Sequence, residues 1–197
     1  EGIELCRDKN VDYILALGGG SVIDSAKSIA MGVFFEGDVW EIFEAYNPTQ
    51  KALPIATVLT IPAAGSETSA ITVLSNEDKQ LKLSFGSPHL HPRLSIINPE
   101  LFFSLPKNQI ANGIADMMSH VFERYFTNTV HTDLTDGLCE SLLKTVMTNA
   151  RLVIDDPYDY EAWCEIGFSA MLAHNGLLGM GRQQDWACHG MEHELSA

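Results

Sequence analysis

Residues 11–30 read VDYILALGGGSVIDSAKSIA. An apolar run ends in three glycines and a serine, and a helical pattern follows at once. Val11, Ile14, Leu15 and Leu17 suit a strand, and the apolar period changes at the glycines from that of a strand to that of a helix. Gly18, Gly19 and Gly20 allow a tight turn and close approach of a ligand to the backbone. Ser21 can cap the helix or donate its hydroxyl. The N–H groups at a helix start favour an anion such as a pyrophosphate. The spacing is neither GxGxxG nor GxxxxGK[ST]. Taken alone, the turn fits a plain strand-to-helix corner as well as a phosphate cradle.

A second strand is expected over residues 53–60, LPIATVLT, apolar enough to lie inside a parallel sheet. IPAAGSETS follows, with the hydroxyls of Ser66, Thr68 and Ser69 near a helix start. In open α/β sheets ligands bind beyond the carboxyl ends of strands, although a simple turn has the same composition. Residues 71–85 read as a hairpin about a polar turn at 76–79. Lys82 lies between Leu81 and Leu83, facing a ligand or solvent. Residues 93–98 form one more short strand. Residues 1–10 suit the tail of a helix, 38–44 a short amphipathic helix, and Asn47 and Pro48 a loop.

After Pro106 little strand-like sequence remains. Helices are expected over 109–127, 134–153 and 160–180, with broad apolar faces that suit a bundle. The fold class is therefore α/β followed by all-α, with the boundary between residues 1–105 and 106–197.

Asp plus Glu number 26 against 12 Lys plus Arg, a formal charge of −14, which disfavours nucleic acid and anionic membrane as partners. No stretch is long and apolar enough to span a bilayer. Cys6, Cys139, Cys164 and Cys188 form no CxxC and read as buried thiols in a reducing, cytoplasmic compartment. Residue 1 is not Met, and the last residues sit in an apolar-periodic pattern without a helix stop. The chain is expected to be a piece of a longer protein.

Two pairs carry the candidate chemistry. Asp116 and His120 are four apart, as are His189 and His193, and helical spacing puts each pair on one face. Glu192 and Glu194 flank the second pair, which is not HExxH because residue 190 is Gly. One Asp and up to three imidazoles suit Zn(II) or Fe(II); the number of ligands and the metal stay open from spacing alone. His89 and His91 fall in a loop. His174 reads as a helix-packing residue.

GGGSVIDSAK (18–27), TIPAAGSETS (60–69), GIADMMSHVFERYF (113–126) and GRQQDWACHGMEHELSA (181–197) stand in order along the chain. Together they resemble the iron-containing alcohol dehydrogenase family, in particular its butanol dehydrogenase and aldehyde reductase branch. The resemblance implies a partial Rossmann-like dinucleotide-binding domain over 1–105 and a partial helical metal-binding domain over 106–197. It implies that Gly19, Gly20 and Ser21 meet the pyrophosphate of NAD(P). Asp24 would support the turn or a cofactor hydroxyl, Thr60 and Ser69 would contact the nicotinamide side, and Lys82 would approach its ribose. Asp116, His120 and His189 match metal ligands, for Fe(II) or Zn(II). His193 matches a histidine near the substrate that is not a ligand, and would serve in a proton relay or in positioning.

The implied reaction is hydride transfer between NAD(P)H and a small aldehyde or primary alcohol such as butyraldehyde or butanol, in a cleft between the two parts. A further family histidine ligand would fall beyond Ala197, and a further α/β segment before residue 11. The chain alone is therefore expected to be a poor enzyme, and the choice between NADH and NADPH is not readable. A homo-oligomer is compatible with the resemblance. A related polyol dehydrogenase, a synthase of similar architecture, and a non-catalytic nucleotide-binding or scaffold fragment are the alternatives.

Overall fold

A computed structural model describes residues 1–45 and 51–197. The loop expected at Asn47 and Pro48 lies outside the described residues. The chain divides into two compact units. One comprises residues 1–58, 66–96 and 192–197, and the other residues 59–65 and 97–191.

In the first unit, residues 1–10 form a helix of their own, α1 (Gly2–Asp8). The run at residue 11 becomes β1 (Ile14–Gly18), and α2 (Gly20–Gly32) starts directly after the glycine turn. A short helix α3 (Trp40–Ala45) and strand β2 (Ile55–Leu59) follow. The hairpin is β3 (Ile71–Asn76) and β4 (Leu81–Gly86), antiparallel, with Ser75 opposite Lys82. β5 (Leu94–Ile96) pairs in parallel with β2, Thr57 opposite Ser95, in a sheet of order β1-β2-β5. Met31 of α2 joins Trp40, Ile42, Phe43, Phe85 and Leu90 in a buried apolar cluster. Arg7 of α1 donates from Nη2 to the Gly32 carbonyl (2.7 Å) and from Nε to that of Val33 (3.0 Å). It thereby satisfies carbonyls that the end of α2 leaves without intrahelical donors.

The second unit is helical. α4 (Lys107–Tyr125), α5 (Asp133–Asp155) and α6 (Tyr160–His174) pack mutually. α7 (Ala187–Leu195) ends the described elements; residues 187–191 group with this unit and 192–195 with the first. The Asp159 carboxylate starts α6 by accepting from the Ala162 amide at 3.0 Å. This helix stops short of the expected residue 180. Asn175 closes it, and Gly176, at φ 95°, turns the chain away.

The dividing line also differs from the expected 105/106. Phe102 is fully buried, with its ring 5.5 Å from that of Trp163 on α6, so the segment after residue 96 belongs with the helices. Residues 59–65 join them too. Gly65 has φ +63°, and a Cβ there would lie 2.7 Å from Cβ of His174. A Cβ on Gly113 of α4 would lie 2.8 Å from the Pro62 carbonyl oxygen. Two glycines thus let the loop after β2 lie directly on α4 and α6. No helix of the described residues is long and apolar enough to cross a membrane. All four cysteines are free; Cys139 is buried, but Cys188, in the first turn of α7, is exposed rather than buried.

Candidate metal and cofactor sites

Helix α4 supplies Asp116 and His120 from one face, and α7 brings His189 to them. One ligand atom from each lies within 4.8 Å of the others. Asp116 Oδ1 is 4.0 Å from His120 Nδ1 and 3.7 Å from His189 Nε2. Both separations are under about 4.2 Å, the most that two atoms each about 2.1 Å from one ion can have. His120 is 5% exposed, and its Nδ1 is among the few buried side-chain polar atoms of the described residues that have no hydrogen-bond partner. A buried polar atom without a partner is costly. A carboxylate and two imidazoles around it form a donor set suited to a divalent transition metal, so the residues present fit such an ion.

The two imidazoles are shifted in opposite directions. Burial, then the neighbouring His174, pushes the His120 imidazole down to about 3, against the pull of Asp116. It is therefore neutral at neutral pH and keeps a lone pair. Asp116 raises His189, with Glu123 adding to it against desolvation. Glu123 Oε1 lies 2.8 Å from His189 Nδ1. A carboxylate only accepts, so the ring proton is assigned to Nδ1 and Nε2 is left facing Asp116.

Around the trio sit groups that spacing alone did not select. Glu123 follows Asp116 and His120 on α4 with one more helical step, so the same face carries all three, and that periodicity is the signal that could have found it. His174 packs as expected, and it packs on this site: its ring centroid is 4.3 Å from that of His120. Arg124 Nη2 donates to His174 Nδ1 at 3.3 Å, which puts the His174 proton on Nε2. The Trp186 ring lies 5.2 Å from His189 and carries the Arg124 guanidinium 4.6 Å from its centroid. No local pattern announces His174 or Trp186, since both depend on how the helices pack.

The glycine turn is built differently. Gly19 precedes α2 without a side-chain cap, and the first turn of α2 carries no acidic residue. Gly19 and Gly20 are half-buried and Ser21 is exposed. A helix start of this kind accepts an anion. Asp24 points elsewhere: its Oδ1 accepts from Ser66 Oγ (2.5 Å) and its Oδ2 from the Val73 amide (3.1 Å). Burial raises its carboxyl despite Ser66 and Lys27. Both of its oxygens are thus engaged by the segment from Ser66 to Val73.

Lys27, one helical turn on, is fully buried. Its ammonium donates to Ser66 O (2.7 Å), Ser66 Oγ (2.9 Å), Ser69 O (2.9 Å) and Ile71 O (2.7 Å). Burial pushes it down to about 8 against Asp24 and Glu67. The Asp24/Lys27 spacing was its visible signal. Ser69 is buried, and its Oγ accepts from the Ile71 amide at 3.4 Å. Thr60 is half-buried and groups with the helical unit.

Lys82 is held by neighbours of its own unit. Its ammonium donates to Glu192 Oε1 (2.9 Å), Glu192 Oε2 (2.8 Å) and Ser196 Oγ (2.9 Å). His193, half-buried, has Nε2 3.9 Å from Glu192 Oε2 and is not part of the converging trio.

The family model described as iron-containing alcohol dehydrogenase matches residues 1–99, and that of the C-terminal region of the same family matches 110–197. NADH-dependent butanol dehydrogenase A of Clostridium acetobutylicum is 44% identical over 197 residues, which cover 100% of this chain and 51% of that protein. NADPH-dependent aldehyde reductase YqhD of Escherichia coli is 35% identical over 99% of this chain and 51% of its own length. The crystal structure of NADH-dependent butanol dehydrogenase A from Thermotoga maritima superposes with a TM-score of 0.96 at 40% identity, covering 99% of this chain and 49% of that one. The chain spans about half the length of the curated relatives it matches. With both family models matched in order and the α/β-then-helical fold shared, the chain belongs to the iron-containing alcohol dehydrogenase family.

Proposed function

We propose that the protein transfers hydride between NAD(P)H and a small aldehyde or primary alcohol, of the size of butyraldehyde or butanol, at a divalent metal held by Asp116, His120 and His189. The observation that carries the reading is the buried, partnerless Nδ1 of His120 beside the Asp116 carboxylate and the Nε2 of His189. Relatives named as NADH-dependent butanol dehydrogenase and NADPH-dependent aldehyde reductase support the reaction class and either nicotinamide cofactor. The family's name favours iron.

In this reading a bound metal supplies Lewis acidity to the substrate oxygen, and the nicotinamide supplies or takes the hydride. The chain's own residues do the rest. Gly19, Gly20 and Ser21 offer the start of α2 to the cofactor pyrophosphate. Asp24 and Lys27 fix the backbone from Ser66 to Val73, which carries Ser69. Thr60 and Ser69 serve the nicotinamide side. Lys82 exchanges one of its three hydrogen bonds for a ribose hydroxyl. Glu123 holds the His189 ring with Nε2 forward. His193, beside the Glu192 carboxylate, takes or returns the substrate proton at its imidazole.

The test is to follow reduced-nicotinamide absorbance with NADH and with NADPH as butyraldehyde is added, before and after chelator treatment and after Fe(II) is restored. Aldehyde-dependent oxidation that disappears with the chelator and returns with metal is expected. Full activity in the chelated protein would overturn the metal assignment, and no aldehyde-dependent turnover in metal-loaded protein would overturn the reaction.

A further inference from the structure

We propose that Glu123 is a positioning residue that aims His189 at the metal and, with the same oxygen, anchors the first turn of α7. The inference rests on the metal reading above.

Glu123 Oε1 accepts two hydrogen bonds from one residue, the His189 backbone N–H at 2.9 Å and the His189 ring Nδ1 at 2.8 Å. The Glu123 carbonyl accepts from the Asp185 amide at 2.8 Å, and Asp185 Oδ1 accepts from the Ala187 amide at 3.0 Å. The first N–H groups of a helix have no intrahelical acceptor. In α7 they are served by Asp185, which Glu123 holds, and by Glu123 itself. The backbone position and the ring direction of His189 are therefore both set from α4, the helix that carries Asp116 and His120. All three ligands are referenced to one rigid element, although His189 is remote from the other two in sequence.

The choice of a carboxylate is itself informative. Glu123 is 6% exposed. A buried charge is costly, and a neutral glutamine would provide the same acceptor for both N–H groups. A carboxylate behind the imidazole adds what an amide does not: it raises the basicity of the nitrogen that faces the ion.

The test compares wild type with Glu123→Gln and Glu123→Ala. Zn(II) is the probe ion, its affinity measured by competition with a chromophoric chelator, and amide hydrogen exchange is read over residues 187–191. Glu123→Gln keeps the acceptor, so exchange protection of α7 should stay as in wild type while zinc affinity falls about tenfold. Glu123→Ala removes both roles; the first turn of α7 should lose protection and affinity should fall about a hundredfold. Wild type that binds zinc, with both variants within about twofold of it, would overturn the assignment of Glu123 alone. Wild type that binds no zinc would overturn the metal reading itself. If Glu123→Ala fails to fold, Glu123→Gln still decides, because its loss of affinity must come with α7 protected.

Discussion

Two buried polar clusters in this protein are built on opposite principles. Around Lys27 four oxygens surround one ammonium, and both carboxylate oxygens of Asp24 accept a bond, with Glu67 Oε1 beside them left without a partner. Around His120 the donors converge and one buried nitrogen is left without a partner. A saturated network has nothing left to offer a ligand and acts on the backbone it ties together, here the segment from Ser66 to Val73. A convergent and unsatisfied one carries an energetic deficit that an ion can repair. Both central groups are buried, and what separates them is that the Lys27 ammonium is saturated while the ligand atoms about His120 converge with its Nδ1 unsatisfied.

The comparison can be broken most forcefully on the converging side. Asp116→Ala should lower kcat and kcat/KM for aldehyde reduction by about a thousandfold, the several kcal/mol expected when a metal-held oxygen loses its support. Steady-state kinetics in metal-supplemented buffer would check it, and a loss confined to KM would contradict it. On the saturated side, Lys27→Met leaves Asp24 without its cation and several carbonyls without a donor. It should reduce stability by about 3 kcal/mol in denaturant unfolding. A change within experimental error would mean that the Lys27 network is not structural.

Gly65→Ala tests the loop that lies on α6 within the second unit. It demands a positive φ of an L residue and brings its Cβ to 2.7 Å from Cβ of His174. It should cost about 1–2 kcal/mol and shift the thermal midpoint down. The smallest effect belongs to Glu192→Ala, which frees Lys82 from an exposed ion pair. NADH affinity, read by fluorescence, should weaken about threefold; unchanged affinity would show that Lys82 needs no tether.

Much of this was legible in the residues. The glycine turn between Ile14–Gly18 and Gly20–Gly32, the hairpin from Ile71 to Gly86 and the two long helices α4 and α5 follow apolar periods that local sequence sets directly. Asp116 and His120 were visible because one helix carries both. What escaped depends on packing. α6 ends at His174 because Gly176 takes a left-handed backbone, which its apolar neighbours hide. Residues 59–65 group with the helices because Gly65 and Gly113 permit close approach, a fact that exists only once α4 and α6 are placed. His174 reaches His120 from a position 54 residues on, and Trp186, three residues before His189, reaches His120 only through packing. Asp24, assigned by sequence to the glycine turn or a cofactor hydroxyl, spends its oxygens on Ser66 and Val73, partners that no local pattern shows.

The most direct test of the distinction between scaffold and site is metal stoichiometry after exhaustive dialysis, measured by elemental mass spectrometry on wild type, His120→Ala and Lys27→Met. The account predicts about one divalent ion per chain in wild type, nearly none in His120→Ala, and the wild-type amount in folded Lys27→Met. Full occupancy in His120→Ala, or loss of the ion from Lys27→Met that is still folded by circular dichroism, would contradict it.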